Sequence, residues 1–217
     1  MKVGRSLQEV LMELQRQNQA KKDYIAPAQS MRLEKDGRTF QMGEQAPFAT
    51  TQLFHRQLAS TLAIPAKYYD LMQKEKPELL AENVNVWLDT RQSNYMIRSM
   101  DYGAGPVARA LLSERYRRID NMEIASAVLP LFAGNDGYSV ESCEVTENRL
   151  YLKILNKRLE MEVRKGDIVQ AGVIISNSEV GLGAVSVQPL VYRLVCTNGL
   201  IIDDFGERRN HVGRQAK

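Results

Sequence analysis

The order in which two hydrophobic periodicities occur constrains this chain most. Three amphipathic helical patterns follow one another, from about Thr51 to Leu62, Pro65 to Lys74 and Pro77 to Thr90. Leu53, Phe54, Leu58 and Leu62 make one apolar stripe, and Leu79, Leu80, Val84, Trp87 and Leu88 make another. Pro65 and Pro77 suit first-turn positions, where a missing N–H costs nothing. Such stripes read as core, not as a cofactor site. The strand-like segments come later: Tyr95 to Met100, then, after a helical stretch from Asn121 to Phe132, Tyr138 to Val145, Arg149 to Leu155, Ile168 to Ser176 and Val185 to Cys196. Asn148 and the Gly-rich SEVGLGA stretch supply turns between them. Ahead of the helices, Met31 to Lys35 and Thr39 to Met42 flank Asp36-Gly37, a tight-turn signal for a hairpin. With no alternation of strand and helix, this order predicts an α+β fold, N-terminal helical segments followed by a mainly antiparallel β-sheet.

The first segment, Ser6 to Lys22, reads as a helix with a capping box, Ser6 followed by Glu9, and one apolar face of Leu7, Val10, Leu11 and Leu14. Past Leu14 it is wholly polar, so it is expected to dock by its first turns and then fray, or to pack on a neighbouring subunit. The domain organisation expected is an N-terminal helical arm over residues 1–24 and a single α+β domain over 25–217. A chain of 217 residues with 44% hydrophobic and 25% charged side chains buries a real core and is not disordered throughout. No apolar run approaches the roughly 20 residues a bilayer requires, and the N-terminus lacks the apolar region of a secretory signal. Cys143 and Cys196 are the only cysteines and form no CxxC pair, which predicts a reducing cytoplasm and a buried free thiol at each position.

The chemistry of the chain predicts no enzyme, no cofactor and no metal site. The two histidines, His55 and His211, have no second ligand three or four residues away. His55 reads as structural or surface. Nucleophile-elbow, dinucleotide and phosphate-loop motifs are missing from the sequence. Gly181 to Ala184 reads as a hairpin tip, and the Asp203-Asp204 pair as a turn.

Charge is more informative in its distribution than in its net value of +3. Arg91, Arg98, Arg109, Arg115, Arg117 and Arg118 face two acids, Asp101 and Glu114, in one stretch. Six basic residues lie between Arg149 and Lys165 against Glu160 and Glu162. Arg208, Arg209, His211, Arg214 and Lys217 form an acid-free tail. A polyanion partner or an ordinary solvated face satisfies these surpluses equally. In LLSERYRRIDN, Ser113 can cap a turn while Arg115, Tyr116, Arg117 and Arg118 offer cations and a ring, the composition with which single-strand binders track a backbone and stack on bases. The bland reading is a surface turn with Arg115 paired to Glu114 or Asp120. Arg193, inside an apolar strand, needs either a carboxylate such as Asp203 or a phosphate.

The segment GDIVQAGVIISNSEVGLGAVSVQPLVYRLVCTNGLI and the RRNHVGR tail resemble a phage/plasmid-like family catalogued as a domain of unknown function. FHRQLASTLAIPAKYYDLM, PELLAENVNVWL and ALLSERYRRIDN resemble its earlier segments in the same order, so the resemblance covers roughly residues 45 to 214. Members of that family often continue further, which would make this a short one. The resemblance implies work on mobile DNA or host defence and carries over no catalytic residue. The function expected is single-stranded DNA binding and annealing in recombination by a cytoplasmic homo-oligomer, by fold-level analogy with phage strand-annealing proteins. The residues expected to contact nucleic acid are Arg98, Arg109, Arg115, Tyr116, Arg117, Arg118, Arg193, Arg208, Arg209, His211 and Arg214. The alternative is an accessory protein that binds a host protein, for example to inhibit a defence system. A third reading is an unfamiliar enzyme site built around Glu179, Asp203, Asp204 and His211.

Overall fold

The computed structural model describes residues 7–132, 135–165, 167–193, 199–201, 207–209 and 211. The fold is α+β, and the chain forms two compact units: unit 1 comprises Met1–Asn18 and Arg117–Lys217, and unit 2 comprises Gln19–Tyr116. The boundary falls near the end of helix α1 (Leu7–Ala20). Residue 24, where the sequence put the end of an arm, lies inside a strand, β1 (Lys21–Pro27).

Unit 2 is a six-stranded sheet with three helices. Strands β2 (Met31–Leu33), β3 (Thr39–Met42), β4 (Phe48–Thr50), β5 (Asn94–Asp101) and β6 (Pro106–Ser113) join β1 in the order β1-β5-β6-β4-β3-β2. All pairings are antiparallel except β4 with β6, where Ala49 lies beside Val107 and Thr50 beside Ala108. The helices are α2 (Gln52–Thr61), α3 (Ala66–Glu75) and α4 (Pro77–Thr90), within a residue or so of their expected spans. Their apolar stripes supply Phe54, Leu58, Leu80, Val84 and Leu88 to a core shared with Phe40, Phe48 and Ile97 of the sheet.

Local chemistry explains the joints. At the β2–β3 turn, Asp36 Oδ1 accepts from Arg38 N and Thr39 N at 2.8 Å each, and Gly37 takes φ +64° with Pro77 only 3.1 Å from where a Cβ would stand. Helix α2 is capped by Thr51, whose Oγ1 accepts from Phe54 N at 3.2 Å and donates to the Arg109 carbonyl at 3.0 Å, pinning the helix start to β6. The Asn85 amide on α4 pairs with both backbone groups of Leu33, accepting from its N–H at 2.8 Å and donating to its C=O at 3.0 Å. That side chain thereby covers part of the sheet edge at β2.

His55 is 6% exposed and tautomerically fixed. Thr50 Oγ1 donates to the Arg38 carbonyl, so it accepts from His55 Nε2–H at 2.7 Å, and Nδ1 accepts from the Tyr69 hydroxyl at 2.7 Å. The relay joins β4, α2 and α3, and it satisfies a neutral ring. Burial pushes His55 down to about 4 and pushes the Tyr69 phenol up.

Strand β1 is an edge strand of charged sequence held to β5 along its whole length, from Lys21 beside Met100 to Pro27 beside Asn94. Its Asp23 faces Arg98 of β5 in a buried bidentate pair, with Nε to Oδ1 at 2.9 Å and Nη2 to Oδ2 at 3.2 Å. The Arg98 side chain is 4% exposed and that of Asp23 12%.

Unit 1 carries the second sheet. Strands β7 (Tyr138–Val145), β8 (Leu150–Arg164), β9 (Asp167–Asn177), β10 (Val185–Arg193) and β11 (Gly199–Ile201) follow one another as antiparallel neighbours, and β12 (Glu207–Arg209) also pairs with β10. Val10 and Leu14 of α1 and Ile124, Ala125 and Leu129 of α5 (Asn121–Phe132) are buried with Cys143, Leu150, Leu152, Ile154 and Ile175 of the sheet. Cys143 is a buried free thiol that burial pushes up to about 12. Cys196 lies outside the described residues. Strand β8 runs nine residues past its expected end at Leu155, and the β8–β9 register shifts there. Opposite that shift stands Gly172, where any Cβ would collide with the Ile154 carbonyl. Among the described residues no helix is long and apolar enough to cross a membrane.

Two outcomes are expected for unit 2. Asp23→Ala strands the Arg98 charge and should cost about 3 kcal/mol in urea unfolding, whereas Asp23→Leu with Arg98→Met should cost clearly less than the two single changes summed. Because the folded His55 titrates near 4 and the unfolded ring near 6.5, its contribution is complete above about pH 6.5 and is lost as pH falls toward 4, about 3 kcal/mol in all. Unfolding midpoints measured across that range should fall less steeply in His55→Gln than in the native protein.

Candidate nucleic-acid interface

The segment between β6 and α5 is short and polar, and its backbone groups need partners. Ser113 turns the chain: its Oγ accepts from Arg115 N at 3.2 Å and its carbonyl from Tyr116 N at 2.9 Å. Beyond the unit boundary, Asn121 opens α5, and its N–H donates to Glu179 Oε1 at 2.7 Å. A carboxylate at a helix start meets both an unpaired donor and the positive end of the dipole. Glu179 sits two residues past the end of β9, so this contact fixes α5 against the end of the sheet.

Around it lies a hydrogen-bonded polar knot. Asn177 Nδ2 donates to the Ile119 carbonyl at 3.0 Å and to Asn121 Oδ1 at 2.8 Å. Asn177 Oδ1 faces His211 Nε2 at 3.1 Å, and His211 Nδ1 faces the Arg117 carbonyl at 2.9 Å. The Arg117 N–H in turn donates to the His211 carbonyl at 2.8 Å. Asn121, Asn177, Glu179 and His211 are each 5% exposed or less.

The knot ties two basic segments of unit 1 together. Arg117 and Arg118 are exposed on one, and Arg208 and Arg209 are exposed on β12, two residues before His211. Strand β12 is itself held on β10, with Arg208 beside Ser186 and Arg209 beside Val185. Two chain steps plus one hydrogen-bonded pair put the Cα atoms of Arg209 and Arg117 within about 13 Å of one another. Two exposed arginine pairs some ninety positions apart in the sequence therefore stand on backbone segments that meet at His211. Arginine heads can hold phosphate oxygens in bidentate fashion.

The remaining residues expected at such an interface fall elsewhere. Arg98 is 3% exposed and neutralised by Asp23, so its charge is turned into unit 2 and drops out of any contact surface. His211 is a buried member of the knot, and its ring is engaged by protein oxygens, so it holds the surface and does not form it. Arg109 is half-buried on β6, Arg115 is exposed and Tyr116 half-buried, all three in unit 2. Arg193 ends β10. Arg214, like Asp203 and Asp204, lies outside the described residues. Glu179 and His211 do share one network, linked through Asn121 and Asn177. Those two asparagines had no sequence signal beyond standing at the start of a helix and the end of a strand.

Residues 109–213 match the family model described as Domain of unknown function (DUF932). The match begins on β6 and ends just past His211, so it contains the whole knot and both exposed arginine pairs, and it is shorter than the span of about 45 to 214 expected from the sequence. No curated protein and no solved structure matches the chain.

Asn177→Ala removes three hydrogen bonds from buried partners and is expected to lower stability by about 3 kcal/mol. Thermal unfolding of the variant checks this; a loss under about 0.5 kcal/mol would mean that the knot carries no stability.

Proposed function

We propose that the protein binds single-stranded nucleic acid and anneals strands in recombination, in a phage or plasmid setting. The observation that supports this most is the juxtaposition of Arg117 and Arg118 with Arg208 and Arg209, four exposed cations brought into one neighbourhood by the His211–Arg117 bonds. Arginine is suited to the task because its planar head grips phosphate oxygens and also stacks on bases. The chain needs no nucleotide or metal for this chemistry: annealing requires only that two strands be held with their phosphate repulsion neutralised. Assembly of several copies would continue the surface along a strand, which is the homo-oligomer expected from the analogy with annealing proteins.

The test is fluorescence anisotropy with a labelled oligo-dT strand against a duplex of equal length, at low and high salt. Binding should prefer the single strand and weaken linearly in log salt, with a slope of about −0.7 for each phosphate neutralised. Arg117→Ala with Arg118→Ala, and Arg208→Ala with Arg209→Ala, should each shorten that slope by one to two phosphates, or about 1 unit. Absence of binding at low salt would sink the reading and direct attention to a host protein as the partner.

A further inference from the structure

We infer that His211 is a positioning residue whose second ring proton holds the two arginine pairs of unit 1 together, so that strand binding is tuned by protonation of this one side chain. The inference rests on the nucleic-acid reading for its consequence and on geometry alone for its mechanism.

Both ring nitrogens face oxygen. The Arg117 carbonyl, 2.9 Å from Nδ1, can only accept. The oxygen identity at Asn177, 3.1 Å from Nε2, is fixed by the other end of its amide. That end donates to the Ile119 carbonyl at 3.0 Å, and turning the amide over would set oxygen against oxygen there. Nδ1 and Nε2 must therefore both donate, and an imidazole carries two N–H groups only as the cation. A neutral ring in the same place would press a lone pair against one of these oxygens in a site 5% exposed.

The contrast with His55 is direct. There one nitrogen donates and the other accepts, and the neutral ring is the satisfied one. The two histidines of the chain are thus held in opposite protonation states by their partners.

Charged groups stand on every element around His211. Glu179, after β9, is buried and reaches the ring through Asn121 and Asn177. Asp120 lies on the segment before α5, and Glu207 on β12. Against these stand Arg117, Arg118, Arg208 and Arg209, all exposed residues whose charges are screened over about 8 Å at physiological salt. Bound phosphates would cancel those cations and favour the proton further. Proton and strand are consequently expected to bind cooperatively.

Loss of the proton breaks one of the bonds that fix His211. Strand β12 is three residues long and paired with β10, and His211, two residues on, is tied to Arg117 by one backbone bond and by its ring. The clasp is complete while His211 carries both ring protons and fails as rising pH removes one of them. Arginine heads keep their charge throughout that range, so phosphate binding by them has no pH dependence of its own.

The experiment uses the full chain, with 15N- and 13C-labelled histidine, between about pH 5.5 and about pH 8.5 at constant ionic strength, a window that brackets ordinary histidine titration. Ring resonances of His211, identified by their loss in His211→Gln, are followed beside anisotropy titrations with labelled oligo-dT. The expected result is a doubly protonated ring at the acid end and an affinity that falls about tenfold as the ring loses its proton. His211→Gln should bind weakly at all pH values and show no such step. A neutral His211 ring at about pH 6 overturns the inference whether or not DNA binds. A protonated ring with pH-independent DNA binding overturns the positioning role. Failure to bind DNA at every pH removes the nucleic-acid reading, while the ring resonances still decide the clasp.

Discussion

A buried polar atom without a partner costs more than most single contacts return, and in unit 1 this constraint decides how distant stretches of chain meet. The turn before α5 brings carbonyls at Arg117 and Ile119 and an N–H at Asn121; the end of β9 brings the amide of Asn177 and the carboxylate of Glu179; His211 brings a ring with two nitrogens. Each of these groups meets at least one of the others through a hydrogen bond. The knot closes a loop of some ninety residues in the chain, and the arginines next to it in sequence are exposed. Basic residues that look like two unrelated runs in the sequence are brought toward one another by the buried polar groups between them.

Unit 2 solves the same problem differently. Its buried histidine is neutral and relays hydrogen bonds from Tyr69 to Thr50, and its buried arginine is matched by Asp23 across the β1–β5 pair. Both devices join elements far apart in sequence and both are closed within the unit. Neither offers charge to a ligand. The division of labour follows: the chemistry that could meet a polyanion in unit 1 is exposed guanidinium held by a buried clasp, whereas the most deeply placed ionisable groups of unit 2 serve its architecture.

How much of this was legible in the sequence depends on the range of the interaction. The three helices from 51 to 90 and the hairpin at Asp36-Gly37 were read almost to the residue, because their signals are local: an apolar stripe, a proline near the helix start, an Asp-Gly turn. Strand β1 was missed because KKDYIAP is too charged to look like a strand, and it is stabilised as an edge by β5, seventy-odd residues away. Strand β6 was obscured by reading LLSERYRR as one polar cluster, although its first three residues finish a strand that begins at Pro106. The extension of β8 was present as the alternation Arg158-Leu159-Glu160-Met161-Glu162 but was read as charge distribution. Arg98 and His211 illustrate the deeper limit. Residue type marked both as cations for a ligand, and only the tertiary partners, Asp23 in one case and the Arg117 and Asn177 oxygens in the other, reveal that they are spent inside the fold.

The central claim is that the 117–118 and 208–209 segments form one surface for a single strand. Ultraviolet cross-linking of the full chain to a thymidine oligonucleotide, followed by mass spectrometry of the cross-linked peptides, tests it most directly. The expected result is cross-linked peptides from both segments on the same population of protein, and their joint loss when His211 is replaced by Gln. Cross-links confined to one segment, or lying wholly outside both, would contradict it.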